Sequence, residues 1–204
     1  MRASEALNIL IKDIDFDNKP ATIYVRGENT KTKTDRVIFL TDEVTNQIHA
    51  WLKYKHRTRR VCYQNKNALE NKKTITEYRT PNIKKNDLVF SVYKSDQAPD
   101  PKSLYTELLS SFGKTLDRIG KGEKEDNNER RRQITLHSFR RFVKSTISDL
   151  GYSDYSEWFI GHAGSTYYRK KESEKIEIFR KIEPYLTFLN VYELEGKVLT
   201  YNPR

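Results

Sequence analysis

A chain of 204 residues with 36% hydrophobic content holds enough apolar material for one compact core, so a single domain over residues 1–204 is the default. Its 38 Lys and Arg outnumber 28 Asp and Glu, for a formal charge of +10, a balance that suits a polyanionic partner because neutralised phosphates release condensed counterions. One cysteine, Cys62, excludes a disulfide framework, no Cys/His cluster offers a structural zinc site, and no apolar run is long enough for a bilayer or a secretory leader; a soluble, cytoplasmic protein is expected.

The first residues, MRASEALNIL, already carry helical apolar spacing at Ala3, Ala6, Leu7 and Leu10, so the chain reads as opening inside a helix, as a trimmed piece would. Residues 15–20 read as a turn. Two β-rich runs, 22–26 and 36–40, flank a polar stretch that carries Lys31 and Lys33, which predicts a hairpin. Thr41 then caps a helix with Asp42 and Glu43 in its first turn and Val44, Ile48 and Leu52 on its buried stripe.

Between residues 53 and 85 the pattern weakens and basic residues crowd in: Lys53, Lys55, Arg57, Arg59 and Arg60, with Tyr54, Tyr63 and Tyr78 among them. This reads as an elaborated surface region that can lie against a phosphate backbone, or equally as a solvated helix end plus loop. An apolar run, residues 87–93, precedes a helix capped by Ser103, with Leu104, Leu108, Phe112, Leu116 and Ile119 buried and Gly120 as its stop. The charged stretch 121–132 reads as a loop. A further helix over 138–150 is expected to bury Phe139, Phe142 or Val143, and Ile147; a short helix around Trp158 and a longer one over about 172–182 precede a tail from Tyr185. The sum is α+β, mostly helical with a small antiparallel β-sheet.

The most informative segment is TLHSFRR, residues 135–141. His137 and Arg140 lie about one turn apart at a helix start, where free N–H groups and the helix dipole favour an anion. Alone, such a pair is a cap and a surface charge. Downstream, FIGH places Gly161 at a helix end with His162 at its exit, and STYYRKK brings Tyr167 and Tyr168 beside Arg169 and Lys170.

Arg, Lys, His-x-x-Arg, His and Tyr in this order resemble the tyrosine recombinases, the phage-type integrase family, in a compact archaeal-type branch. MRASEALNI resembles the family's first catalytic segment and assigns Arg2. KTKTDRVIFL resembles its lysine-bearing β-turn and assigns Lys31, with Lys33 as the alternative. HSFR assigns His137 and Arg140, and IGH assigns His162. The spacing departs from the commonest pattern at the nucleophile, since the ninth residue after His162 is Lys171; Tyr167 is the first choice, Tyr168 the second and Tyr185 the third.

The resemblance implies the catalytic-domain fold of a DNA breaking-rejoining enzyme, a 3′-phosphotyrosine intermediate, double-stranded DNA as partner, assembly as a synaptic tetramer, and no metal or other cofactor. The family's N-terminal DNA-clamping domain is expected to be absent from this chain. DNA contacts are expected from Lys53, Lys55, Arg57, Arg59, Arg60, Arg141, Arg169 and Lys170. Two alternatives stand beside this reading: a type IB topoisomerase, which shares the chemistry, and an accessory DNA-binding fragment without catalysis.

Overall fold

The computed structural model describes residues 1–64, 74–91, 100–126, 128–162 and 169–188. A three-stranded antiparallel sheet, β1 (Ile14–Asp15), β2 (Thr22–Val25) and β3 (Arg36–Phe39), lies between two helical layers. The expected hairpin is present, with Ile23 opposite Ile38 and Tyr24 opposite Val37. Successive side chains of a strand point to opposite faces, and β3 uses both. Ile38 enters a core with Ile9, Ile23, Val25, Leu40, Ile48 and Val89, whereas Phe39 enters a second core with Ile147, Tyr155, Ile178, Phe179 and Ile182. Phe159 packs against both cores and joins them.

Short-range chemistry sets most element boundaries. Helix α1 is a single turn, Ala3–Ala6, shorter than the opening periodicity predicts, because the chain extends beyond it to bring Leu10 into a β-bridge with Leu88. Helix α2 (Asp42–Lys55) starts where Thr41 Oγ1 accepts the Val44 N–H. Its buried residues are Thr45, Ile48 and Lys55; Val44, expected inside, is exposed. Helix α3 (Pro101–Arg118) is capped by Asp100 and not by Ser103: the Asp100 carboxylate accepts the backbone N–H groups of Lys102 and Ser103, with Pro101 at the first helical position, where its missing N–H costs nothing. Of its expected stripe Leu116 is buried, whereas Ile119 is exposed.

The basic region after α2 forms a two-stranded sheet of its own, β4 (Arg59–Gln64) and β5 (Thr74–Arg79). The charged stretch expected as a loop forms a small hairpin, β6 (Lys124–Glu125) and β7 (Asn128–Arg132), and Arg132 grips Asp117 of α3 through both Nη atoms at 2.6 and 2.9 Å. Helix α4 (Leu136–Asp149) buries Ile147 completely and packs Val143 against the second core, whereas Phe139 and Phe142 are exposed. Helix α5 (Ser153–Ile160) ends at Gly161, whose φ of +70° is the left-handed conformation glycine adopts without a Cβ penalty. Helix α6 (Glu172–Ile182) presents Ile178, Phe179 and Ile182 to the second core. Among the described residues no helix is long and apolar enough to cross a membrane.

Candidate active site

Arg2 immediately precedes α1, and Glu5 lies on that helix's single turn. The Glu5 carboxylate is 1% exposed, and a buried charge is tolerated only when paired and hydrogen-bonded. It accepts the Arg2 backbone N–H at 2.7 Å, Arg2 Nη1 at 2.8 Å and Arg36 Nη2 at 2.6 Å. Burial alone raises the Glu5 pKa, but these donors more than offset it and hold the group below the usual carboxylate range. A single carboxylate thus fixes two guanidiniums, one from the residue that precedes α1 and one from the first residue of β3.

A third guanidinium arrives from α4. The backbone N–H of Thr135 donates to Ser138 Oγ at 3.1 Å across the helix start. His137 and Arg140 follow three residues apart, hence on one side of the helix. Arg2, Ser4, Tyr105, Leu136, His137 and Arg140 are among the residues lining one cavity of about 210 Å³. Both Nη atoms of Arg140 are buried there and have no hydrogen-bond partner. Burial, followed by the neighbouring Arg2 charge, pulls the Arg140 pKa down, with Arg36 adding to the effect and Glu5 and Glu157 opposing it. Guanidinium remains charged regardless. Three positive groups facing one carboxylate leave an excess that an anion in the cavity would neutralise.

His162 joins this cluster through two links. Its Nδ1 lies 2.7 Å from Glu157 Oε2, and Glu157 also holds Lys144 Nζ of α4 at 2.6 Å. The Lys144 hydrogen bond is the main reason the Glu157 pKa lies below its usual value, with His162 contributing. The second link is Gly161, whose Cα lies against the Arg36 guanidinium so closely that a Cβ there would sit 2.5 Å from Arg36 Cζ. The backbone N–H of His162 donates to Glu157 O at 3.0 Å, which sets the exit direction of the chain.

The remaining expected residues are placed differently. Lys31 is exposed in the turn between β2 and β3, and none of the described hydrogen bonds or ion pairs ties it to the cavity. Lys33 has a positive φ of 54° and turns its Nζ onto Glu28 O at 3.1 Å. Tyr167 and Tyr168 lie outside the described residues. Tyr185 is exposed just after α6, in the short 3-10 turn Glu183–Leu186.

Of the expected DNA contacts, Lys53, Arg57, Arg60, Arg141, Arg169 and Lys170 are exposed, and Arg57 stacks 3.6 Å over the Tyr54 ring. Lys55 is a correction. It is fully buried, with its ammonium directed at Leu88 O and Ser91 Oγ, and desolvation lowers its pKa; it ties the end of α2 to the 88–91 segment and offers nothing to a surface ligand. Arg59 is half-buried and spends Nη2 on Lys55 O at 2.8 Å. Arg36, Glu157 and Tyr105 were not singled out from sequence. Arg36 alone had a signal, as the arginine that opens the apolar strand after the lysine turn. Among the described residues no cluster of His, Cys, Asp or Glu is arranged to hold a metal ion.

The cavity thus lies at a helix start, lined by Arg2 and Arg140 from two separate segments, with Arg36 tied to Arg2 through Glu5. The sequence pattern of the phage integrase family matches residues 1–154, and the chain belongs to that family, as the motif order predicts. Tyrosine recombinase XerA of Saccharolobus solfataricus is 38% identical over 55 residues, which make up 27% of this chain and 18% of that protein. The shared stretch therefore spans well under two thirds of the relative's length. His162, Tyr167 and Tyr168 follow the region matched by the family. No solved structure matches the chain.

Proposed function

We propose that this chain carries the strand-cleaving and rejoining site of a tyrosine recombinase, acting on double-stranded DNA as one protomer of a synaptic tetramer. The observation that carries the reading is Arg140: a buried guanidinium with both Nη atoms unpartnered, in one cavity with Arg2 and His137.

An attacking oxygen is repelled by the phosphodiester anion, and the pentavalent transition state adds charge to the non-bridging oxygens. Arg2, held by Glu5, and Arg140, with its Nη atoms already desolvated, brace those oxygens, so little reorganisation is needed when charge develops. A tyrosine hydroxyl has a pKa of about 10 and must lose its proton to attack. His137 takes that proton, and His162, oriented by Glu157, hydrogen-bonds the phosphate. Tyr167 attacks phosphorus, the bond to the 5′ oxygen breaks, and Lys31 on the β2–β3 turn protonates the departing oxygen. The 3′-phosphotyrosine ester keeps the bond energy, and a 5′ hydroxyl from a second end reverses the steps. No metal ion and no cofactor takes part.

The test is a pool of duplexes with a randomised centre and a nick that lets the short 5′ product diffuse away. Incubation should leave a denaturant-resistant protein–DNA adduct whose peptide map places the nucleotide on Tyr167. No adduct across the pool overturns the reading, and an adduct on Tyr168 moves the nucleophile by one position.

A further inference from the structure

The β4–β5 ribbon lies outside the machinery just described, and its two faces differ. Cross-strand partners share a face, so Arg60 with Tyr78 and Cys62 with Thr76 lie on one side, and Arg59 with Arg79 and Val61 with Glu77 on the other. Arg60, Cys62, Thr76 and Tyr78 are all exposed, Tyr78 at 75%, while Arg59, Val61 and Glu77 are half-covered. Neither strand contributes to either core cluster. The exposed face therefore contains no apolar stripe that needs a protein partner, and it consists of hydrogen-bonding side chains.

The ribbon is held firmly at its base. Thr58 and Thr80 hydrogen-bond across its neck at 2.8 Å, and Arg59 Nη2 grips the carbonyl of the buried Lys55. On the other side the exposed Arg79 pairs with the half-covered Glu77. Arg60 is exposed, and among the described residues no ion pair engages it.

We infer that the Arg60–Tyr78 and Cys62–Thr76 face of this ribbon enters a groove of duplex DNA and selects sequence there. A two-stranded ribbon matches the width of the major groove, and an arginine fork, a phenol and a threonine hydroxyl supply the donors and acceptors that read base edges. The hydroxyls of Thr76 and Tyr78 can also donate to phosphate oxygens, so base preference in the flank, and not binding alone, separates groove reading from a phosphate grip. The inference rests on the DNA-recombinase reading and adds a specificity element to it.

Cys62 is the chain's one cysteine and is exposed on this face, so it reports contact directly. Maleimide labelling of Cys62 should slow at least about tenfold when the chain is saturated with duplex DNA, saturation being followed independently by anisotropy. Selection from duplexes with randomised flanks should return base preferences that weaken about tenfold in Arg60→Ala and Tyr78→Phe. Arg60→Lys should lose the preference while keeping the salt dependence of binding.

Bound DNA that leaves Cys62 fully reactive overturns the ribbon contact, and the adduct assay of the preceding section stays valid. Protection without flank preference, or preference unchanged in the variants, overturns groove reading in favour of a phosphate grip. No DNA binding at all sinks the ribbon contact and the recombinase reading together.

Discussion

The cavity around Arg140 and the β4–β5 ribbon are both arginine-rich, yet the protein treats the two sets of charges in opposite ways. At the cavity, Arg2 shares the buried Glu5 carboxylate with Arg36, while Arg140 and Arg36 keep buried N–H groups unused, which raises the energy of the empty pocket. On the ribbon, Arg60 stands in solvent and costs the fold almost nothing. The first set is prepared for one anion at one place; the second can meet many phosphates or bases. Charge count alone does not separate these cases, and burial does.

The sharpest way to break this contrast is to remove Glu5. Glu5→Ala leaves Arg2 and Arg36 without their shared partner and should destabilise the fold by about 3–5 kcal/mol, read by chemical denaturation. A loss under about 1 kcal/mol would mean that the cluster is solvated and not preorganised. Arg140 comes next. Arg140→Ala should cut adduct formation by about 10²–10³-fold, and Arg140→Lys should recover little of it, because an ammonium cannot brace two oxygens with a planar fork. Arg140→Met should meanwhile be at least as stable as the unaltered chain, since it removes a desolvated charge with no partner.

Acid should affect the two regions unequally. The folded pKa of Glu5 is depressed, so its contribution is fully present above the unfolded carboxylate value of about 4.3 and is lost as pH falls through the lower folded value. The Tm should therefore drop on acidification below that range, and Glu5→Gln should flatten the drop. Glu157, depressed for the same kind of reason, adds in the same direction. The smallest effect on stability belongs to the surface charges. Lys53→Ala with Arg57→Ala should change stability by no more than about 0.5 kcal/mol, yet lower the slope of log affinity against log salt by about 2. Equal slopes would place those residues off the DNA.

How much of this was readable in the chain follows the range of the interactions. The β2–β3 hairpin, the Thr41 cap, the Gly161 stop and α6 were all legible because each is set by neighbours a few residues apart. The order of Arg2, His137, Arg140 and His162 carried the family. The structure brings Arg2, His137 and Arg140 to one cavity and ties His162 to Glu157 beside it. The strand pairing of the ribbon was not legible because Arg59, Glu77 and Arg79 share a side with Val61 and Ile75 and so break the apolar period of two. Lys55 was misread because a long aliphatic stem lets a lysine lie inside when carbonyls receive its head. Of the pair Phe142 or Val143, it is Val143 that packs on the core with Ile147, while Phe139, a turn earlier, is exposed and meets the Phe112 ring instead. The ion pair between Glu5 and Arg36 spans 31 positions, beyond what any local rule can see.

Gly161 has a practical corollary for anyone who mutagenises this chain. A new side chain there would collide with the Arg36 guanidinium, and the backbone twist at that position also disfavours any L-residue. Suppressor screens that shrink Arg36 can therefore relieve only the collision, so revertants of Gly161→Ala should stay partly defective, and libraries gain most by leaving the 161 codon fixed.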